Sequence, residues 1–198
     1  MEIYVIGSCG LSVATEAARL SFSSKSNGRG VVSSNEVDIY PDDLTLLKKL
    51  VINGDSHAKV MRMVQIWLDI DAPRFWWAEM DTYKVGTTAM SASTMHTITR
   101  RHLTEHDFEL ELAGVLDYEW LQKLNDLIDN KDWYGVKCRL PESFLQRRIV
   151  NLNYQTLRHI YIDRRNHKLP QWKTFFTILN DLPFPELITG GIDTENKA

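Results

Sequence analysis

The chain has little of what staples, winds or embeds a polypeptide. It carries two cysteines, Cys9 and Cys138, among 198 residues. They are too far apart for a local metal knuckle and too few for a disulfide framework. Free thiols in a reducing compartment are expected, each acting as a small buried hydrophobe. With 10 Gly and 6 Pro, neither periodic nor clustered as a Pro-rich linker, collagen-like and low-complexity classes are excluded. No apolar run reaches the ~18 residues that cross a bilayer, and Glu2, Glu16 and Arg19 interrupt the start where a leader would be apolar. A soluble, cytoplasmic protein is expected. Gly28 and Gly30 are followed by no Gly-Lys-Ser/Thr sequence, which argues against a nucleotide triphosphatase, and no Gly-x-Ser-x-Gly elbow marks a serine hydrolase.

What is present is ordinary globular composition, 43% hydrophobic, 10% aromatic and 25% charged. A chain of this length buries roughly 70% of its unfolded surface, enough for one sizeable core. The net charge of -3 hides an asymmetry. From Lys131 to Lys173 there are 10 Lys and Arg against 3 Asp and Glu, leaving 13 against 23 elsewhere. That basic stretch is either an anion site or a solvated face balanced by acidic neighbours in the fold.

Periodicity supplies the elements. Met1 to Ser8 reads as an opening strand and Val13 to Leu20 as a helix with Ser12 available as N-cap. Ser21 to Ser34, rich in Ser and Gly, reads as a mobile surface loop. Pro41, the spacing of Leu44, Leu47, Leu50 and Val51, and Gly54 beyond them predict a second helix. Val64, Ile66, Leu68 and Ile70 alternate with polar partners as a strand. Pro73 then opens a helix whose Trp76 and Trp77 belong to the core. Gly86 to Thr94 is small and hydroxylated, a loop able to line a polar ligand or simply to connect. Further helices are expected at Asp117 to Asp129, around Ser143 to Arg148, at Asn153 to Arg165, and from Pro170 to Pro183; the tail from Thr189 is expected to fray.

Two histidine arrangements carry possible chemistry. His102-Leu103-Thr104-Glu105-His106 has zinc-like His-x-x-Glu-His spacing, but the alternating Phe108 to Leu112 follows at once and interrupts any long helix, so a solvated segment is the expected reading and no metal is assigned. His159 and Asp163 stand four apart on the helix from Asn153, ahead of Arg164, Arg165, His167 and Lys168. They form either an exposed helical pair or part of a phosphate-binding cluster.

Taken in order, several fragments resemble the flavin-dependent thymidylate synthase (ThyX) family through most of the chain. Ala17-Ala18-Arg19-Leu20-Ser21-Phe22 is similar to its Ala-Ala-Arg-Val-Ser segment. The helix at Leu44 to Gly54 followed by Ser56-His57 resembles its leucine-rich helix and Gly-His turn. Ala72-Pro73-x-Phe75 resembles the entry to its signature helix, and Leu140-Pro141, Asn153, Arg164-Arg165 and Gln171-Trp172 its late elements.

The resemblance implies an α+β single domain over 1–188, a ThyX-like mixed sheet flanked by helices, with 189–198 a flexible tail. It implies a homotetramer with ligand sites between subunits, FAD as cofactor, and methylene transfer from a folate through reduced flavin to dUMP. By the same resemblance Arg164 or Arg165, with Lys84, Ser91 and Ser93, would hold the nucleotide. His57, His159, Tyr83 and Asn153 would hold the flavin. The family signature Arg-His-Arg-x-x-Ser-x-Asn-Glu-x-Ser-x-Arg-Tyr falls on Thr82 to Met95, where Thr82-Tyr83-Lys84 replaces Arg-His-Arg and Lys84 is the one cation retained. Replacing Arg by Thr removes a forked donor, typically about 1.5 to 3 kcal/mol per charge-assisted bond. The expectation is therefore a divergent relative that binds a pyrimidine nucleotide or flavin without evident means for the methyl transfer. The alternative is a non-catalytic oligomeric scaffold or protein-binding module. Neither a membrane nor a nucleic-acid partner is expected, the latter because the overall charge is negative and no reading motif is present.

Overall fold

The computed structural model describes residues 1–20, 39–109 and 117–192. The expected loop at Ser21 to Ser34, the end of the alternating Phe108 to Leu112 segment and the last residues of the tail lie outside the described residues. In order, the elements are β1 (Glu2–Cys9), α1 (Leu11–Leu20), α2 (Pro41–Ile52), α3 (Asp55–Ala58), β2 (Gln65–Pro73), α4 (Arg74–Met80), β3 (Thr87–Ser91), α5 (Thr94–Thr97), α6 (Tyr118–Asp129), α7 (Trp133–Arg139), β4 (Leu145–Asn153), α8 (Tyr154–Arg164), α9 (Pro170–Phe175) and α10 (Glu186–Thr189). The strands form one sheet in the order β1-β2-β4-β3. The fold is thus α+β, and among the described residues no helix is long and apolar enough to cross a membrane. Contacts divide the chain into two compact units, neither of them a continuous stretch. One comprises 1–3, 69–82 and 89–150, the other 4–68, 83–88 and 151–198.

Five expectations are corrected. Ser143 to Arg148 is not helical. β4 takes it up from Leu145, because Arg147 pairs across to Asp69 of β2 and the Arg148 guanidinium lies 4.2 Å from the Trp77 ring, so both polar side chains find partners in an extended backbone. Part of the expected Gly86 to Thr94 loop is the edge strand β3. The helix from Pro170 gives way to a 3-10 turn at Phe176–Asn180, before Pro183. Both cysteines are exposed rather than buried. α1 also begins at Leu11, ahead of the expected Ser12 cap. Gly10 makes that turn at φ 98°, where a Cβ would lie 2.1 Å from the Met63 carbonyl oxygen.

In the first unit the core gathers Ile98, Leu103, Phe108, Leu121, Leu124, Ile128, Val136 and Phe144. α6 buries Leu121, Leu124, Asn125 and Ile128, a stripe at i, i+3, i+4 and i+7. Asn125 is tolerated there because its amide accepts from the Leu103 N–H at 2.8 Å and donates to the Leu103 carbonyl at 3.1 Å. Trp76 and Trp77 are buried as expected. His102 and His106 sit in coil and a single 3-10 turn, and His102 contacts Asp129 at 2.8 Å. Among the described residues no group of His, Cys, Asp or Glu is arranged to hold a metal.

In the second unit, Leu11, Leu47, Met61, Ile66, Leu68, Tyr154, Trp172 and Phe175 are fully buried. Asp43, in the first turn of α2, is 1% exposed and pairs with Arg19 at 2.7 Å. The carboxylate therefore meets both a guanidinium and the positive end of its own helix.

Candidate functional site

α8 organises the polar surface of the second unit. Asn153 caps it, the side-chain oxygen accepting from the Thr156 N–H at 2.9 Å. The loop before β3 docks on this end: the Thr156 hydroxyl donates to the Val85 carbonyl at 3.3 Å. Gly86, at φ 76°, has room for no Cβ, which would fall 2.5 Å from the Thr156 hydroxyl and 2.7 Å from the Asn153 amide. Glycine is thus required for this loop to lie against the helix and to carry Tyr83 to it.

At the other end of α8, Arg164 Nε donates to the Tyr83 hydroxyl at 2.9 Å, which in turn donates to Asp163 at 3.2 Å. The guanidinium carbon stands 5.6 Å from the Tyr83 ring and 5.3 Å from the Trp172 ring, and those rings meet edge-on at 6.3 Å. Burial raises the Tyr83 pKa, with the Arg164 hydrogen bond opposing that shift. A half-buried cation held against two aromatic faces keeps its planar orientation at low entropic cost, the arrangement that suits a forked approach to phosphate or carboxylate.

A second polar group lies along the same helix. His159 contacts Asp55 of α3 at 3.0 Å, and that hydrogen bond is the main reason the Asp55 carboxyl sits below its usual value. Gln155 donates to the Asp55 carbonyl at 3.3 Å and accepts from Arg62 at 2.6 Å. Arg158, 8% exposed, donates to the carbonyls of Ile188 and Gly190 at 2.7 and 2.8 Å and so closes the end of α10. The expected His159–Asp163 helical pair does not form, each residue having a partner from elsewhere in this unit.

Of the residues expected at a site, Tyr83 and Arg164 touch, and His159 and Asn153 lie on or at the start of the same helix. His57 is exposed two residues from Asp55 on α3, Lys84 is exposed beside Tyr83, and Arg165 closes α8. Ser91 and Ser93 belong to the other compact unit, exposed at the end of β3 and before α5. Sequence reasoning missed Asp55, Arg62, Gln155 and Arg158. The last two sit inside a helix whose apolar stripe was visible, and only their burial, absent from any periodicity, reveals that they are committed to partners.

Two crystal structures of the flavin-dependent thymidylate synthase ThyX from Helicobacter pylori, both with FAD and dUMP, superpose with TM-scores of 0.70 and 0.72. Identity is 17%, over 94% of this chain and 96% of theirs. A UMP/dUMP methylase, PolB from Streptomyces cacaoi bound with 5-Br dUMP, superposes with a TM-score of 0.55 at 14% identity, over 81% of this chain and 76% of its own. At such identities the likeness is one of fold. No family model and no curated protein matches the sequence.

Proposed function

We propose that this chain is a ThyX-like protein that binds a pyrimidine nucleoside monophosphate. The reading rests on one observation above the rest: Arg164 is oriented by Tyr83 and Trp172 on a fold shared with proteins crystallised with dUMP. Arg164 would meet the phosphate, with Arg165 and Lys84 of the same unit adding charge. FAD would be the second ligand, and this chain's residues fit it unevenly. The imidazoles of His57 and His159 reach the surface, and Tyr83 offers a ring, whereas Asn153 is spent on its helix cap. The proposal stops at binding, because Thr82-Tyr83-Lys84 lacks the paired guanidinium groups that the family signature supplies. The exposed thiols of Cys9 and Cys138 suit a reducing cytoplasm.

Calorimetric titration with dUMP tests the reading, together with the absorbance spectrum before and after incubation with FAD. Saturable dUMP binding that weakens about tenfold or more in Arg164→Ala, at unchanged fold, is the expected result. No dUMP heat, no thermal shift and no flavin absorbance would overturn it.

One observation favours a second reading, an oligomeric scaffold. Tyr4 and Ile6 are 59% and 54% exposed on β1, an edge strand, where large apolar side chains are a recurrent feature of interfaces. A homotetramer, or any higher assembly of this chain, would cover them. Light scattering is then expected to show an assembly that Ile6→Lys dissociates, and a monodisperse monomer for the unaltered chain would remove this reading.

A further inference from the structure

We infer that the turn carrying α3 is a pH-dependent flap, held down on α8 by His159 when that imidazole is protonated and loosened when it is neutral. Every group involved lies in the second unit. The flap is the exposed stretch 53–57. Gly54 enters it at φ 97°, and a Cβ there would meet nothing within 4 Å, so the glycine serves the backbone conformation and no packing. Ala58, 1% exposed, anchors the far end, with Met61 fully buried just beyond. Between hinge and anchor, Asp55, Ser56 and His57 are all exposed.

Among the described residues, two hydrogen bonds from α8 reach this turn, both to Asp55. The buried Gln155 amide donates to its carbonyl at 3.3 Å and is itself fixed by Arg62 Nε at 2.6 Å. Neither an amide nor a guanidinium changes charge near neutral pH, so this tie is constant. The other is His159 Nε2 on Asp55 Oδ1 at 3.0 Å, with the two side chains 43% and 74% exposed. Imidazole is the side chain that changes charge between about pH 5 and 8. Protonated, it faces the carboxylate as an ion pair; neutral, it keeps only a hydrogen bond. The surrounding charges do not mask that change. Arg158 attracts Asp55 but is permanently charged and committed to the Ile188 and Gly190 carbonyls. Lys48 of α2 pairs with Glu186 of α10, and Asp163, farther along α8, accepts from Tyr83. Lys49 near the end of α2 and Lys59 in the 3-10 turn after the flap are exposed, and lysine holds its charge over this range. His57 is the other imidazole on the flap and has to be separated from His159 by experiment. Closed, the latch spends His159 Nε2 on Asp55 and fixes the turn that carries His57; open, it frees both imidazoles. The flap needs neither nucleotide nor flavin, so it stands or falls apart from ligand binding.

NMR amide exchange on the unliganded chain tests this, each rate being divided by its intrinsic value at the same pH. The reporters are His57 and Ala58, whose N–H groups donate to the Gly54 carbonyl at 3.0 and 2.9 Å; the reference is Ala14 of α1, bonded to the Gly10 carbonyl at 2.8 Å. Protection at the reporters is expected to fall roughly two- to fivefold from about pH 5.5 to about pH 8, the range open to an exposed ion pair, while Ala14 stays constant. His159→Gln, which keeps a donor without the charge, should abolish the pH dependence. Asp55→Asn should lower protection at the acid end to the level of the alkaline end, and His57→Gln should leave the dependence in place. Equal reporter protection at both pH values, a parallel change at Ala14, a dependence that survives His159→Gln or one that His57→Gln removes would each overturn the flap.

Discussion

Arg158 and Arg164 stand on one helix six residues apart and do opposite work. Six residues turn an α-helix through about 600°, so the two project from different faces. Arg158 is buried and satisfies two carbonyls, whereas Arg164 is half-buried and held against aromatic rings. Residue type alone distinguishes neither. Asp71 shows the same dependence on place. Its Oδ1 is buried without a hydrogen-bond partner, and burial raises its pKa from the ordinary 3.8. A carboxyl whose pKa is raised by folding stabilises the fold only while protonated, and that stabilisation is lost as pH rises through the raised value. Asp71→Asn is therefore expected to stabilise the protein at pH 7, by up to about 1 kcal/mol because the exposed half of the group is screened. The gain should vanish near pH 3, which thermal denaturation at the two pH values would check.

Among elements, those with one strong period were legible. α2, α6, α8 and β2 lie within one or two residues of their expected bounds. β4 was not, since Gln146, Arg147 and Arg148 place polar groups on both faces. Its strand conformation comes from ladder bonds to neighbours on either side, β2 and β3, together with the partners those arginines find. β3 was hidden likewise by a composition typical of loops. The α8 cap is a feature of local sequence with a consequence for the site. Asn153→Ala should cost about 1 kcal/mol, a fall in Tm of roughly 2 to 4 °C in a chain of this size. It should also loosen the loop carrying Tyr83, seen as faster amide exchange at Val85 and Gly86. Unchanged exchange there would separate the cap from the loop.

At the scale of the molecule, the basic stretch from Lys131 to Lys173 is divided between the two units. Much of its charge is answered inside the fold, Arg147 by Asp69, Arg148 by Asp81 and Arg158 by carbonyls. Of the two open readings, balance by partners inside the fold accounts for those residues. These pairings have a pH signature. Hydrogen bonds of His159 and Arg147 hold Asp55 and Asp69 below their ordinary carboxyl values; at Asp107 and Glu186 desolvation is the largest single effect and pulls upward, yet the Arg101 hydrogen bond at Asp107, and at Glu186 the backbone hydrogen bond followed by Lys48, keep both carboxyls low. A depressed carboxyl pKa gives stability that is present above the ordinary value and lost as pH falls through the depressed one. Stability is therefore expected to decline from about pH 5 downward, more steeply at low salt, where exposed pairs count most. A flat denaturation midpoint between pH 5 and pH 3 would contradict these pairings.

The sequence by itself determined the α+β class, the placement of the strongly periodic helices and of β2, the burial of Trp76 and Trp77, and the likeness to a ThyX fold. Each of these rests on local spacing or on the order of short segments, which a linear chain displays. Only the tertiary structure decided that Leu145 to Arg148 is strand, that His159 answers Asp55, and that Tyr83 and Trp172 orient Arg164. Those outcomes depend on which polar groups from distant positions meet, because a buried or half-buried charge is stable only beside its partner, and that pairing is a property of the folded chain.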